Sequence, residues 1–401
     1  MNRNSRVNRT RWWGAAALAA SAAVLQACGG GGGSDEVTGT VRFALTDAPA
    51  CYDAVNVTVQ KVRIHRSSAA AESDAGWSEV VLATPKRINL VPLTNGVLEE
   101  LGQATVPAGS YSQIRLVLAA NDATAPLANS VQPIGGAEVP LDTPSAMQSG
   151  LKLQAHFEVE EGQVADFVLD FDACKSIVTR GNSGQYALKP VVTVLPRVSA
   201  AGLKVEGYVV PALGTGSTSV SLQLNGVVAR ATVPDATGKF ILSPVPEGTY
   251  DLVVAADGRV TAVMTGVPVA AASVTTVNPA TAAIDPAAST MRVASGAVST
   301  TGSAAIPDAT MRILQTLTGG PTIELGARPV DAVTGEYSFS VPLAAPVKTA
   351  YAAGATTLTF AADAAAAGKY TVEASVPDKP TQTADIDVTA ADVATPFAFA
   401  P

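Results

Sequence analysis

The chain has 401 residues, 47% hydrophobic and 5% aromatic, with 26 basic and 34 acidic side chains and a formal charge of −8. That length exceeds what one hydrophobic core usually organises and calls for two or three domains, and the acidic balance excludes nucleic acid as a partner. Alanine, valine, threonine and glycine dominate, and proline or glycine interrupts the short apolar runs about every ten residues, a spacing that suits β-sandwiches or barrels.

The first element is a leader. Arg3, Arg6, Arg9 and Arg11 form a positive start free of acids, and Trp12 to Leu25 is an alanine-rich apolar run too short to serve as a mature membrane span. It closes on Leu25-Gln26-Ala27-Cys28, which resembles the lipobox of bacterial lipoproteins. On this reading residues 1–27 are a signal peptide, Cys28 becomes the lipidated N-terminus, and residues 28–35, with Gly29 to Gly33 and Ser34, are a flexible tether. Each buried acyl methylene contributes about 0.8 kcal/mol, so a multiply acylated cysteine holds firmly to a bilayer. Gly29, rather than aspartate, after the cysteine favours the outer membrane. Loss of the leader leaves 22 basic against 34 acidic residues, a formal charge of −12.

With Cys28 assigned to lipid, Cys51 and Cys174 are an even pair in an oxidising compartment and are read as one disulfide. The rival reading, a metal or redox pair, has only His65 and His156 to draw on and needs carboxylates to complete a zinc site.

Residues 36–198 are expected to be an N-terminal antiparallel β-sandwich with one short helix. Val41, Phe43 and Leu45 alternate with polar neighbours. Val55, Val57 and Val59 are followed by Val62 and Ile64, so the apolar parity switches at Gln60-Lys61 and predicts a β-bulge there. Further strands are expected at Gly76 to Leu82, Tyr111 to Leu118 and Leu151 to Val159, the last with His156 on its solvated face. Pro92 to Leu101 is the expected helix, with Thr94 or Asn95 as cap. Phe167, Leu169 and Phe171 share one face of a later strand, leaving Asp170, Asp172 and Cys174 on the other. Carboxylates two apart on a strand sit about 7 Å from each other, and with Asp47 or Asp53 brought near they would suit Ca2+. The plain alternative is a charged, solvated face.

The runs Gly39 to Pro49, Tyr52 to Val59, Leu93 to Gly96, Pro107 to Tyr111, Asp170-Phe171-Asp172 with Ser176-Ile177, and Leu188 to Val191 occur in an order that resembles the domain-of-unknown-function family 4382. The resemblance spans about 160 residues and implies membership among bacterial surface lipoproteins, with no established activity.

From Leu203 an internal repeat appears. Asp235 to Phe240 and Val245 to Tyr250 are echoed by Asp331 to Tyr337 and Gly368 to Tyr370: a glycine turn feeding an aromatic-bearing strand, then a second turn and strand. Two further sandwiches are expected, at 203–284 and 289–401, the second with an alanine-rich insertion at about Ala344 to Ala366. The 203–284 segment resembles the carboxypeptidase regulatory-like domain, a transthyretin-type β-sandwich also grouped with carbohydrate-binding-like folds, through Val205-Glu206-Gly207, Ala231 to Val233, Asp235 to Phe240 and Pro246 to Tyr250. These are turn and core positions, so the resemblance bears on fold more than on ligand.

No nucleophile elbow, Walker loop, dinucleotide fingerprint, zincin motif or paired-cysteine motif is present. The expected function is a lipid-anchored envelope or surface lipoprotein, a non-enzymatic binding or structural module held to the membrane by its lipid and open to a surface protein or a glycan. A carbohydrate-binding protein, with Trp77 as the stacking surface, is the second reading. A calcium-dependent module or an uncharacterised hydrolase is the third.

Overall fold

The computed structural model describes residues 36–47, 51–144, 150–197, 202–214 and 217–401. The expected leader, Cys28 and the expected tether lie outside them. Strands take up 54% of the described residues and helix 5%, so the protein is all-β.

The first domain runs through β1 (Thr38–Asp47), β2 (Ala54–His65), β3 (Ser78–Asn89), β4 (Glu99–Pro107), β5 (Gly109–Leu118), β6 (Ser130–Gln132), β7 (Val139–Asp142), β8 (Leu151–Val159), β9 (Val164–Phe171), the one-turn helix α1 (Ala173–Ser176), β10 (Ile177–Thr179), β11 (Tyr186–Leu188) and β12 (Val192–Pro196). One sheet has the order β12-β9-β1-β4; the other runs β10-β11-β7-β6-β2-β5-β8, with β3 on the far side of β2. Period-two alternation drives this packing: Val41, Phe43 and Leu45 from β1 and Leu169 and Phe171 from β9 meet Val57, Ile64 and Leu116 from the facing sheet in one core. The register of β2 against both β3 and β5 slips between Val59 and Lys61, at the parity switch. His156 is exposed on β8.

Two features differ from the sequence-based expectation. The pairings β1–β9 and β7–β11 are parallel in a domain otherwise antiparallel; the long excursion between β1 and β9 supplies the crossover that parallel neighbours need. Pro92 to Leu101 is not helical. Asn95 (φ 57°) and Gly96 (φ 81°) are left-handed, which no helix accommodates, and Glu99 already opens β4. A helical turn occurs instead at α1, capped by Asp172, whose carboxylate accepts the Lys175 N–H at 3.1 Å.

The rest of the chain forms β13 (Val205–Tyr208), β14 (Thr218–Leu224), β15 (Val227–Thr232), β16 (Lys239–Leu242), β17 (Gly248–Ala256), β18 (Ala262–Val269) and β19 (Thr275–Thr276). These are followed by β20 (Met291–Thr300), β21 (Thr310–Thr316), β22 (Thr322–Pro329), β23 (Glu336–Pro342), β24 (Val347–Ala350), β25 (Ala361–Ala362), β26 (Lys369–Ser375), β27 (Gln382–Asp387), β28 (Val393–Ala394) and β29 (Phe397–Phe399). The sheets β16-β13-β19 and β15-β14-β17-β18 recur as β23-β20-β28, with β29 also on β20, and β22-β21-β26-β27. Each set encloses its own core, around Phe240 and Leu252 in one and Phe339 and Val372 in the other. The repeated turns match in detail. Asp235 accepts the Thr237 N–H and Asp331 the Val333 N–H, both at 2.8 Å. Gly238 and Gly335 follow with positive φ, and a Cβ on either would strike a carbonyl, that of Val209 at 2.0 Å or Val298 at 2.3 Å.

The Tyr250 hydroxyl donates to the Pro246 carbonyl at 2.9 Å, and Tyr111 of the first domain makes the same four-residue bond to Pro107 at 2.8 Å. Tyr370 keeps the bond to Pro342 although 28 positions separate them. The alanine-rich insertion therefore interrupts a tyrosine corner without breaking it. It does not stay on its own module: β24 pairs in parallel with β18, β25 adds to β24, and Val347, Leu358 and Phe360 pack on the second core.

Candidate functional site

The acidic end of β9 lies where the three domains meet. Asp170 forms an ion pair with Arg230 of β15, a side chain only 2% exposed, and Arg230 also donates to the Thr46 hydroxyl at 3.0 Å. Burial pushes the Asp170 carboxyl up, with Arg230 pulling against it. Asp172 meets the Lys175 ammonium at 3.1 Å, and the same ammonium lies 3.4 Å from Glu324 of β22. Glu324 accepts from Arg312 at 2.6 Å; Arg312 continues to Glu373 at 2.7 Å and to the Gly226 carbonyl of the second module. Gln223 exchanges two hydrogen bonds with the Glu324 backbone, at 2.8 and 2.7 Å. Burial would lower the Lys175 pKa, but Asp172 and Glu324 outweigh it and hold the ammonium above its usual range.

Each acid of the expected calcium arrangement has another partner. Asp170 is taken by a guanidinium, Asp172 by the helix cap and Lys175, Asp47 by the Ala173 N–H at 3.1 Å, and Asp53 by the Gly135 N–H at 2.8 Å. Among the described residues no three His, Cys, Asp or Glu side chains gather to hold a metal ion. The β9 alternation located the acids; it carried no sign of Arg230, which a different domain brings in.

Cys51 and Cys174 form the expected disulfide, with Cα atoms 5.3 Å apart. Beside it a cleft of about 710 Å3 opens between the first and last domains, lined by Tyr52, Thr179, Arg328, Asp331, Glu336 and Tyr337 among others. Asp331 staples its wall: the Thr179 hydroxyl and Gly181 N–H donate to one carboxylate oxygen at 2.8 and 2.7 Å, while Val333 and Thr334 N–H donate to the other at 2.8 and 2.9 Å. Burial would raise the Asp331 pKa, yet these donors bring it down to about 2. Tyr52 stands edge-on to Tyr186 at 6.4 Å, and burial pushes its phenol up to about 12. The Arg328 guanidinium lies over the Phe339 ring at 4.9 Å.

Trp77 packs against the protein itself. Its indole meets the guanidinium groups of Arg63 at 4.5 Å and Arg115 at 5.0 Å, cross-strand neighbours on β2 and β5, and its N–H donates to the Ala71 carbonyl at 3.0 Å. His65 lies against the same indole at 4.9 Å.

The ordered motifs of the first domain fall within one family match, save the last residue, Val191. Residues 38–190 match the Domain of unknown function (DUF4382). The disulfide, the acidic end of β9 and the Trp77 cluster all lie within this DUF4382 region. No curated protein matches the chain. Solved structures similar to it include a type II cohesin-X-dockerin complex from Acetivibrio cellulolyticus, 20% identical over 21% of this chain and 56% of that one, TM-score 0.18. Others are the Bacillus anthracis TIE protein (10% identity, 91% and 50% covered, TM-score 0.19) and the Streptococcal ancillary pilin (8%, 90% and 98%, TM-score 0.17). The chain spans about half the length of the first two. Likeness at this level identifies no function.

Proposed function

We propose that the protein is a lipid-anchored envelope protein, acylated at Cys28 and sorted to the outer membrane, that displays three locked β-sandwiches as a non-enzymatic binding or structural module. The observation that carries the second half is the charged chain Asp172-Lys175-Glu324-Arg312-Glu373, which runs from the first domain into the third and touches the second at Gly226. Its acids and bases serve as mutual partners, the use expected of a rigid mount rather than of a reaction centre. The lipobox and the Cys51–Cys174 disulfide support the envelope location. We assign the 203–284 module to the carboxypeptidase regulatory-like, transthyretin-type sandwiches on its turn motifs.

The anchor is tested by expressing the full chain and a Cys28→Ser variant in a bacterium supplied with labelled palmitate. The native chain should take up label and partition into detergent, and Cys28→Ser should do neither. Detergent partitioning that survives the substitution would refute the anchor.

A further inference from the structure

Arg328 projects from the end of β22 into the cleft beside the disulfide. Arg42, Arg87, Arg180, Arg230, Arg259 and Arg312 each hold a carboxylate. Arg328 holds none among the described residues; it rests on the face of Phe339, and burial lowers its pKa while the nearby Tyr52 phenol works against that. Tyr52, from the first domain, lines the same cleft close enough to Arg328 for the two to act on each other's charge, and its hydroxyl makes no hydrogen bond with the described residues. Two donors from two domains thus face one space of about 710 Å3, within the roughly 300–1,000 Å3 range of small-molecule sites, which favour domain interfaces. The walls are fixed by the Cys51–Cys174 bond and by Asp331, so the donors are preorganised.

The same lining limits the ligand. A guanidinium is a planar fork that fits a carboxylate through two parallel bonds. Asp331, held ionised, and Glu336 stand on the cleft wall and oppose a multiply charged anion. Ser295, Thr334 and Ser338 add hydroxyls suited to a polar remainder. We propose that this cleft binds a small polar molecule carrying a single carboxylate, gripped by Arg328 with Tyr52 donating from the other domain. The inference rests on reading the chain as a binding module and is independent of its anchor.

The test uses the full chain in detergent, titrated calorimetrically with glucuronate, glycylglycine, glucose and inorganic phosphate, together with phenylglyoxal labelling read by mass spectrometry. One carboxylate probe should bind and shield Arg328 from phenylglyoxal, while glucose does neither; which probe binds tells a sugar acid from a peptide terminus. Arg328→Gln should weaken binding about tenfold or more, as loss of a charge-assisted hydrogen bond implies, with Arg328→Lys intermediate, Tyr52→Phe weakened a few-fold, and circular dichroism unchanged. Phosphate binding more tightly than either carboxylate, equal binding by native chain and Arg328→Gln, or no shielding of Arg328 by either carboxylate would overturn the proposal. Because shielding is read on the native chain, a variant that misfolds does not blunt the test, and failure of binding leaves the Cys28 anchor standing.

Discussion

Arg230 and Asp170 show what a buried pair demands of single residues. With Arg230 2% exposed, truncating it leaves the Asp170 carboxylate buried and alone, a defect that typically costs about 3–5 kcal/mol. Arg230→Ala should therefore lose about that much in guanidinium unfolding, and Arg230→Met with Asp170→Leu should recover most of it; a single-variant loss below about 1 kcal/mol would mean that the pair is solvated. The tyrosine corners are milder, and Tyr250→Phe or Tyr370→Phe should each cost about 1 kcal/mol by the same measurement. Asp331 governs acid behaviour. Its carboxyl falls from an ordinary 3.8 to about 2 on folding, so its contribution is complete above the unfolded value and drains away as the pH drops through the folded one. In thermal melts from pH 6 downward, Asp331→Asn should remove part of the fall in Tm between roughly pH 4 and 2; an unchanged acid limb would count against the staple.

At the scale of elements, alternation made most of the fold legible. The strands at Val41 to Leu45, Tyr111 to Leu118 and Leu151 to Val159, the bulge at Gln60-Lys61 and the repeated glycine turns are local patterns, and local patterns survive in sequence. Partnership between distant segments does not. Nothing near Asp170 announced Arg230, and nothing in the Asp331 turn showed that its second oxygen would serve Thr179 and Gly181. The loop at Pro92 to Leu101 looked helical because Asn95 is a good cap; in the fold its N–H and side chain bond Thr232, Lys239 and Ile241 of the second module instead. The alanine-rich insertion was visible as an interruption, yet its use as an extra edge on β18 was not, since alanine carries no pairing code. Deleting residues 344–366 should restore a short tyrosine corner like that at Tyr250 while uncovering the edge of β18. Size-exclusion chromatography should then find self-association, whereas a monomer would show that β24 is not the cover.

For the whole molecule, the disulfide closes a separation of 123 residues, for which chain entropy implies about 4–5 kcal/mol. Reduction should accordingly lower the guanidinium midpoint, and a midpoint unmoved by reductant would argue against the bond. Because a half-buried charged chain links the first and third domains and touches the second at Gly226, calorimetry should record one cooperative transition in place of three. The parallel pairing of β1 with β9 matters in another way. A pull on Val37 directed along β1 loads that ladder in shear, all rungs together, while hairpin strands hauled from one end unzip rung by rung. A chain anchored at Cys28 as proposed and dragged by flow would load the β1–β9 ladder in shear first.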